Sequence, residues 1–389
     1  MISSQEERQK NTPGKGVFFH QREALSPKHR SGGAFHMSKN ENLHAAKTAA
    51  NDEFYTQYND IANEIPHYRP HFKGKVVYCN CDDPTWSNFW IYFHNNFKSL
   101  GLKRLISTHY QKDTEPSYAL IYEGGDDFNM EAGKTIEIVG NYSEDGKTFY
   151  TAGDFRSDAC IELLKEADIV CTNPPFSLFR QYIAQLIEYE KQFIIIGSKN
   201  AITYKEVFPL IKDNKMWIGA GFYGGNAYFG VPEDADVTQY AKGVYNPETK
   251  LVHFRNVTWF TNLDLAKRHD GLWHRNGKFD NAKAHCYYEG FEDSYPKYDN
   301  YDAIEVSKTK DIPIDYPGVM GVPITWLDKY NPDEFEIIWT TDRGGDGHLE
   351  NIKLNHTRFD APVVNGKGLY KRIFIRNRNP IRKEDDKGY

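Results

Sequence analysis

The fold is decided by Ile169-Val170-Cys171-Thr172-Asn173-Pro174-Pro175-Phe176-Ser177, where an apolar run stops at a proline-rich turn. The pattern predicts a strand over 168–172, the turn, and a helix over 177–190. A second strand is predicted over 193–197, because an almost purely apolar run is typical of burial on both faces of a sheet. Ligands bind outside the carboxyl ends of strands in open α/β sheets. The turn is therefore predicted to lie beside a ligand site.

Strands and helices alternate on both sides of this stretch. Such alternation predicts an α/β fold with a doubly wound, mostly parallel sheet of the Rossmann-like kind. Two strands, over 118–122 and 135–139, are joined by a glycine-rich, acidic turn and are predicted to form an excursion from the main sheet. The other predicted elements are strands over 75–79, 102–108 and 257–262 and helices over 87–100, 157–167 and 205–212.

Composition divides the chain into three parts. Residues 1–50 are mostly polar, lack a sustained apolar period and are predicted to be a disordered tail. Residues 51–264 hold the alternating elements of the α/β domain. Residues 265–389 are rich in turn-forming residues between short, scattered strands, which predicts a second, smaller, irregular α+β domain.

Charge is distributed unevenly along the chain. The formal net charge of the 389 residues is −6, which argues against a surface that is basic everywhere. The run 367–383 nevertheless contains several lysines and arginines and no acidic residue. It is either a solvated surface strand or a contact for nucleic-acid phosphates. In the second case the predicted contacts are Lys371, Arg372, Arg376 and Arg378.

Cysteine content and hydropathy favour a cytoplasmic protein. The five cysteines are an odd number, and Cys79-x-Cys81 has no second Cys or His pair at zinc-site spacing, so no metal is expected. No apolar run approaches the roughly 18 residues of a membrane span, and the N-terminus lacks a signal-type hydrophobic core. No membrane partner is expected.

The turn at 173–176 suits a planar amine. Such an amine, for example N6 of adenine, is a weak nucleophile because its lone pair is delocalised into the ring. The side-chain oxygen of Asn173 and the carbonyl oxygen of Pro174 can each accept one hydrogen of the NH2 group. Pro174 and Pro175 stiffen the turn, and Phe176 can stack on the base. Catalysis would rest on positioning, since a sulfonium methyl donor already carries a good leaving group. The alternative is an ordinary proline turn after a strand.

Five segments carry a resemblance to a known family: 51–57 (NDEFYTQ), 76–84 (VVYCNCDDP), 173–176 (NPPF), 318–323 (GVMGVP) and 365–370 (NGKGLY). Together they resemble the EcoRI-type adenine-specific DNA methyltransferases. The resemblance implies S-adenosylmethionine as cofactor, double-stranded DNA as partner, and a place in a type II restriction-modification system with a separately encoded endonuclease. Two alternatives remain open: an amino-methyltransferase acting on RNA adenine or a protein glutamine amide, and a catalytically idle DNA-binding module with the same fold.

The resemblance also assigns residues to the cofactor. It implies that Phe54, Tyr55 and Thr56 close over the methionine part of the cofactor. Asp82 and Asp83 would meet its ammonium group or ribose, because they follow the first strand. Asp154 would accept from the amino group of the cofactor's adenine, and Phe155 would pack on that ring. The alternatives are a helix cap for 54–56 and ordinary capping or surface roles for the two aspartates.

Two further expectations concern the loops and the domains. Asn80-Cys81-Asp82 stands where the commoner methyltransferase pattern has a Phe-x-Gly-x-Gly turn. Within 221–229, Tyr223 is predicted to stack on a flipped target base together with Phe176. The resemblance implies that 51–264 form the cofactor-binding catalytic domain and that 265–389 form the target-recognition domain.

Overall fold

The structure is a computed structural model that describes residues 54–126, 129–222, 225–232, 235–270, 272, 274–275, 278–279, 294–341 and 361–380. Three sequence predictions lie outside the described residues. They are the tail over 1–50, the stacking residue Tyr223, and the end of the basic run at 382–383.

The elements are numbered here in chain order. The α-helices are α1 (Tyr58–Glu64), α2 (Asn88–Asn95), α3 (Phe97–Leu100), α4 (Asp158–Glu166), α5 (Phe179–Glu188) and α6 (Phe208–Lys212). Short 3-10 helices cover Ile65–His71, Phe176–Leu178, Lys199–Thr203, Val237–Gln239, Ala266–His269, Thr309–Asp311 and Ile324–Lys329.

The first fourteen strands are β1 (Tyr55–Thr56), β2 (Val76–Cys79), β3 (Arg104–Thr108), β4 (Ser117–Tyr122), β5 (Lys134–Ile138), β6 (Asn141–Tyr142), β7 (Phe149–Tyr150), β8 (Ile169–Thr172), β9 (Gln192–Ser198), β10 (Trp217–Ile218), β11 (Ala227–Gly230), β12 (Tyr245–Asn246), β13 (Leu251–Phe254) and β14 (Val257–Thr261). The remaining strands are β15 (His274–Arg275), β16 (Lys278–Phe279), β17 (Ile304–Glu305), β18 (Val319–Pro323), β19 (Phe335–Thr340), β20 (Val363–Val364), β21 (Lys367–Gly368) and β22 (Arg372–Asn377).

The centre of the fold is an eight-stranded mixed sheet in the order β10-β14-β9-β8-β2-β3-β4-β5. The middle strands β9, β8, β2 and β3 are parallel, whereas β14, β10, β4 and β5 pair antiparallel with their neighbours. The carboxyl ends of the parallel strands therefore lie at one edge of the sheet, at Cys79, Thr108, Thr172 and Ser198. The chain is a mixed α/β protein, as its sequence predicts.

The hairpin predicted over 118–122 and 135–139 belongs to this sheet, so its interpretation as an excursion is wrong. β4 pairs antiparallel with β3, with Leu105 opposite Tyr122, and β5 extends the edge by one more strand. The edge of β3 would otherwise present unpaired N–H and C=O groups, and the hairpin satisfies them. Local periodicity identified the hairpin but carries no information on the edge with which it pairs.

Helices pack on both faces of the central sheet. Along β2, Val76 and Tyr78 belong to one hydrophobic cluster, and Val77 and Cys79 belong to another, because successive side chains of a strand alternate between faces. The first cluster includes residues of α4 and α5, and the second includes residues of α1, α2 and α3. Each fully buried large apolar side chain stabilises the fold by about 1.5–3 kcal/mol relative to an exposed one.

Two predicted helices are shorter than expected, each for a local reason. The helix predicted over 87–100 is divided into α2 and α3 at Asn96, whose side-chain Nδ2 donates to the carbonyl oxygen of Tyr92 at 2.9 Å. α6 begins only at Phe208, with Pro209 in its first turn, where the missing N–H of proline leaves no helical bond unmade.

Two four-stranded sheets lie outside the central sheet. The order β1-β11-β13-β12 joins residues 55–56 to 227–230. The order β17-β18-β22-β19 lies within 304–377 and is more regular than the sequence pattern indicated. Ile304 and Met320 of that sheet share one hydrophobic cluster with Tyr78 of the central sheet. The domain boundary at residue 265 stays a prediction.

The described part of the chain has neither a membrane-spanning helix nor a cluster of metal-ligating side chains. Within it, none of the helices combines the length and apolar character that crossing a membrane requires. The same residues contain no group of three or more His, Cys, Asp or Glu side chains arranged to hold a metal ion.

Candidate active site

The Asn-Pro-Pro-Phe turn follows β8, whose four residues are all buried. Asn173 Nδ2 donates to the carbonyl oxygen of Phe54 at 2.6 Å. A carbonyl oxygen can only accept, so the amide nitrogen must face Phe54 and the amide oxygen must face away. That oxygen, Asn173 Oδ1, is buried and has no hydrogen-bond partner among the described residues. An orphaned acceptor of this kind is costly unless a ligand supplies the donor.

The turn passes into α5 through a short 3-10 helix. Pro175 precedes the 3-10 residues Phe176–Leu178, and the α-helix begins at Phe179 rather than at Ser177. Pro174 is buried, and Phe176 is half-buried with its ring centroid 5.6 Å from that of Phe54. The turn is therefore fixed both by its two prolines and by an aromatic contact.

A cavity of about 770 Å³ lies at the carboxyl ends of the parallel strands. Its size exceeds the roughly 300 Å³ at the lower end of small-molecule sites. The sequence-predicted residues that line it are Phe54, Tyr55, Thr56, Asp82, Asp83, Asp154, Phe155, Asn173 and Pro175. Four separate parts of the sequence thus contribute to one cavity, and the strand-end rule accounts for the two parts that follow β2 and β8. Pro174 and Phe176 are not among the lining residues.

The segment 54–56 forms one wall of the cavity as a strand. β1 pairs antiparallel with β11, with Tyr55 opposite Gly230. The ring of Phe54 packs edge-on against Phe254 at 4.9 Å, and Asn88 Nδ2 donates to the carbonyl oxygen of Thr56 at 2.7 Å. The alternative of a helix cap is not what the structure shows, since Gln57 precedes α1 without a side-chain capping bond.

The two acidic residues after β2 have different surroundings. Asp82 is 7% exposed and accepts from the hydroxyl groups of Ser87, at 2.7 Å, and Thr172. Burial raises the pKa of the Asp82 carboxyl to about 7, although these hydrogen bonds oppose the rise. Asp83 Oδ1 accepts from the backbone N–H of Thr85 at 2.8 Å, and its other oxygen lies 3.4 Å from His109 Nε2. Of the two residues, Asp82 is the more deeply buried, and both of its carboxylate oxygens accept hydrogen bonds from protein groups.

Asp154 and Phe155 form another wall. The guanidinium of Arg156 binds both oxygens of Asp154, with Nε 2.9 Å from Oδ1 and Nη2 2.7 Å from Oδ2. Phe155 is buried and packs edge-on against Tyr182 at 4.9 Å. Gly153 has φ +84°, and a Cβ there would lie 2.1 Å from the carbonyl oxygen of His109, so only glycine fits.

Several residues that line the cavity were not predicted from the sequence. Trp86 is 45% exposed and its ring lies 4.2 Å from that of Tyr55, and Tyr110 is 41% exposed. Arg156 lines the same cavity and lies over the ring of Tyr150 at 4.7 Å. Trp86 and Tyr110 each follow the carboxyl end of a parallel strand, β2 and β3, and that position was the signal that could have identified them.

The basic residues near the C-terminus lie on and beside β22, and none of the predicted four lines the cavity. Arg372 is bound to the buried carboxylate of Glu305, with Nη2 2.7 Å from Oε1 and Nε 3.0 Å from Oε2. Arg376 is exposed, 3.5 Å from Glu336.

The other two basic residues contact polar groups of the protein. Arg378 Nε donates to the carbonyl oxygens of Pro332 at 2.8 Å and Phe335 at 3.2 Å, and Lys371 Nζ lies 3.3 Å from the hydroxyl of Thr203. The four residues predicted together therefore have different environments.

The fold and the site define an α/β enzyme with a ligand-sized cavity at the strand ends, beside a buried amide oxygen that has no partner among the described residues. Residues 42–378 match the family described as adenine-specific methyltransferase EcoRI. The chain therefore belongs to that family and is an adenine-specific DNA methyltransferase, an activity that requires a methyl donor. The resemblance predicted from the sequence is confirmed.

Three relatives show how far the similarity extends. The Type II methyltransferase M.EcoRI of Escherichia coli is 46% identical over 349 residues, which are 87% of this chain and 97% of that protein. M.MgeORF184P of Mycoplasma genitalium is 36% identical over 85% of this chain and 97% of its own. M.MpnI of Mycoplasma pneumoniae is 37% identical over 86% of this chain and 98% of its own. No solved structure matches the chain significantly.

Proposed function

We propose that this methyltransferase transfers the methyl group of S-adenosylmethionine to N6 of adenine in double-stranded DNA, as the modification enzyme of a type II restriction-modification system. The observation that carries the proposal is the buried, unpaired Asn173 Oδ1 beside a cavity at the carboxyl ends of the parallel strands. The names of the relatives, each a Type II methyltransferase, support the restriction-modification assignment.

The catalytic turn holds the amine. Asn173 Oδ1 accepts one hydrogen of the NH2 group and the carbonyl oxygen of Pro174 accepts the other, which holds the nitrogen lone pair out of the base plane. Because Asn173 Nδ2 is fixed by Phe54, its oxygen is set in place before the base arrives. Phe176 stacks on the base, and Tyr223 is the proposed second ring. Stacking offsets part of the few kcal/mol that removing a base from the duplex costs.

The cavity fits S-adenosylmethionine. Its volume of about 770 Å³ lies within the roughly 300–1,000 Å³ of small-molecule sites, and the lining residue Thr56 has a buried Oγ1 without a partner among the described residues. When bound, this cofactor supplies a methyl group on a positively charged sulfur that is a good leaving group. We assign its contacts to Phe54, Tyr55, Thr56, Asp83, Asp154 and Phe155. Asp82, which the resemblance also assigned to the cofactor, lines the cavity, but both of its carboxylate oxygens already accept from protein hydroxyls. The parallel middle of the sheet, with helices on both faces, supports the doubly wound, Rossmann-like arrangement.

The second part of the chain, residues 265–389, is proposed to read the DNA target. Within it Arg376 is the best candidate for a phosphate contact, because its side chain is 47% exposed and its ion pair with Glu336 is long. Arg378 and Lys371 remain candidates. Two guanidinium nitrogens of Arg372, Nε and Nη2, donate to the carboxylate of Glu305, which supports a structural role for Arg372. A separately encoded endonuclease of the same specificity is the proposed partner.

Substrate class is tested by methyl transfer from tritiated S-adenosylmethionine to genomic DNA without adenine methylation, to transfer and ribosomal RNA, and to a protein extract. We expect label in DNA alone, recovered as N6-methyladenine at one short sequence when modified bases are sequenced. Label in RNA or protein, with none in DNA, would overturn the proposal.

A further inference from the structure

A buried polar network lies where the carboxyl ends of β2, β3 and β8 meet. Its members are each at most 7% exposed, and they are Asn80, Asp82, Ser87, Ser107, Thr172 and Tyr182. Each member makes at least one hydrogen bond within the network, and Asn80 Nδ2 is the atom left without a partner among the described residues. Such bonds stiffen a low-dielectric interior. The network connects the loop that follows β2 with the turn that follows β8.

Asp82 is the member that contacts most elements. One carboxylate oxygen accepts from the hydroxyl of Ser87 at 2.7 Å, and Ser87 in turn caps α2 by accepting from the N–H of Phe89 at 3.1 Å. The other oxygen accepts from the hydroxyl of Thr172, the last residue of β8. The backbone N–H of Asn173 faces this carboxylate and helps to lower its pKa. One side chain thus joins the start of a helix to the backbone of the catalytic asparagine.

The backbone of the loop over 80–82 is held by the same network. The hydroxyl of Ser107 donates to the carbonyl oxygen of Asp82, and the hydroxyl of Thr172 contacts the carbonyl oxygen of Asn80. Cys81, between them, has φ 72°, a left-handed conformation that favours glycine. Polar side chains therefore hold a bend for which the commoner Phe-x-Gly-x-Gly pattern uses glycines.

We propose that Asp82 is a positioning residue for methyl transfer, which fixes the backbone of Asn173 and the loop facing the methyl donor as one unit. The inference rests on the proposed function. Asp82 acts through Asn173, since its carboxylate oxygens accept from Ser87 and Thr172 and face the backbone N–H of Asn173. Its loss should therefore slow the transfer step and leave donor binding largely intact.

The charge of Asp82 gives the proposal a pH signature. A carboxylate accepts from all three donors at once, whereas the protonated acid has a hydrogen of its own and loses acceptor capacity. Because burial raises the pKa of Asp82 to about 7, the transfer rate should rise with pH around neutrality.

The other titratable groups facing Asp82 are the neighbouring Asp83, the thiols of Cys79 and Cys171, and the phenol of Tyr182. Burial raises the pKa of both thiols and of the phenol, so these three stay neutral through this range.

The test compares four variants of the full chain. Asp82→Asn keeps the shape and removes the charge, Thr172→Val removes the donating hydroxyl, and Thr172→Ser restores it. Thr261→Val is the matched control, because Thr261 is also a fully buried strand threonine of the central sheet, and its hydroxyl donates to Phe193, away from the cavity. Single-turnover transfer to duplex DNA, the dissociation constant of S-adenosylhomocysteine and the thermal midpoint are measured for each.

We expect transfer to fall about 10- to 100-fold in Asp82→Asn and Thr172→Val, with the dissociation constant changed less than about threefold. Thr172→Ser should recover the rate to within about threefold, and Thr261→Val should lose stability but keep its rate. The acid limb near pH 7 should be absent in Asp82→Asn. Four results would each overturn the proposal: an unchanged rate in Asp82→Asn, a loss confined to donor affinity, equal losses in the two Thr172 variants, or an equal loss in Thr261→Val. Failure of the proposed function is distinct, because the wild-type chain would then not methylate DNA.

Discussion

The side-chain nitrogen of Asn173 donates to the backbone carbonyl oxygen of Phe54 at 2.6 Å, across 119 residues of sequence. This bond joins the Asn-Pro-Pro-Phe turn to the residue before β1, and β1 in turn pairs with β11. It also determines which atom of Asn173 is left for a ligand, since the opposite oxygen remains buried and unpaired among the described residues. The segment proposed to cover the donor and the residue proposed to hold the amine are therefore one hydrogen-bonded assembly.

Gly153 is expected to tolerate no side chain. In Gly153→Ala the new Cβ would lie 2.1 Å from the carbonyl oxygen of His109, at φ +84°. Gly243 is the matched control, because it also has φ +84° but has no heavy atom within 4 Å of an added Cβ. Urea unfolding should show a loss of about 1–2 kcal/mol for Gly243→Ala, from backbone strain alone. Gly153→Ala should lose about 3 kcal/mol or more, since a steric clash is added. Equal losses in the two variants would contradict this account of the cavity wall.

Arg372 is expected to matter for stability. Its guanidinium is bound to Glu305, and the two side chains are 12% and 3% exposed. Arg372→Ala would remove the cation that pairs with this buried carboxylate and leave only the hydroxyl groups of Tyr298 and Ser307 donating to it. Such a loss costs about 3–5 kcal/mol in the free energy of unfolding. Arg376→Ala removes an exposed pair and should cost less than about 1 kcal/mol. Denaturant unfolding of both variants checks the contrast, and a loss below about 1 kcal/mol in Arg372→Ala would sink it.

Arg376 and Arg378 are expected to act in DNA binding. If each meets one phosphate, replacing both by alanine should weaken binding and reduce the slope of log K against log salt by roughly 2. Arg378 also donates to two backbone carbonyls, so the thermal midpoint of the variant is measured alongside. An unchanged salt slope in a folded variant would mean that this strand is an ordinary solvated surface.

Ionisation of Asp82 is expected to lower the free energy of unfolding as the pH rises. Its pKa is about 7 in the folded chain and near the ordinary 3.8 when unfolded, so between these values only the folded chain keeps the proton. The contribution of Asp82 to the free energy of unfolding should therefore be highest below pH 3.8 and should fall as the pH approaches 7. The total fall is roughly 4 kcal/mol at most.

The Asp82 contribution is isolated by subtracting the pH profile of Asp82→Asn, because burial also raises the pKa of Glu64 and gives a trend of the same sign. Parallel profiles for wild type and variant would show that Asp82 is not protonated in the folded chain at neutral pH. The ionised form of Asp82, which the positioning of Asn173 requires, would thus lower the free energy of unfolding. Such a trade-off between stability and function is found at functional sites.

The sequence predicted those features that depend on local pattern. The buried strands β8 and β9 follow from uninterrupted apolar runs, and the turn at Asn173 follows from two prolines at a strand end. The strand-end rule indicated Asn173 and Asp82, and the family resemblance added Phe54 and Asp154. All four line one cavity, and their roles stay predictions.

What the sequence could not predict depends on pairing between distant residues. The position of β4 at the edge of β3 is set by hydrogen bonds that leave no local period. Arg372 could be recognised as basic, but its pairing with Glu305, 67 residues earlier, shows only in three dimensions. The contact of Trp86 with Tyr55 likewise depends on how two loops fold against each other.

The central claim is that the Asn173 amide oxygen holds the target amine. Its most direct measurement is single-turnover methyl transfer to duplex DNA by Asn173→Ala beside the wild-type chain, with the dissociation constant of S-adenosylhomocysteine and the thermal midpoint as controls. The account predicts a rate lower by about 10²–10³-fold or more, with donor binding and folding retained. A rate close to that of the wild type would contradict it.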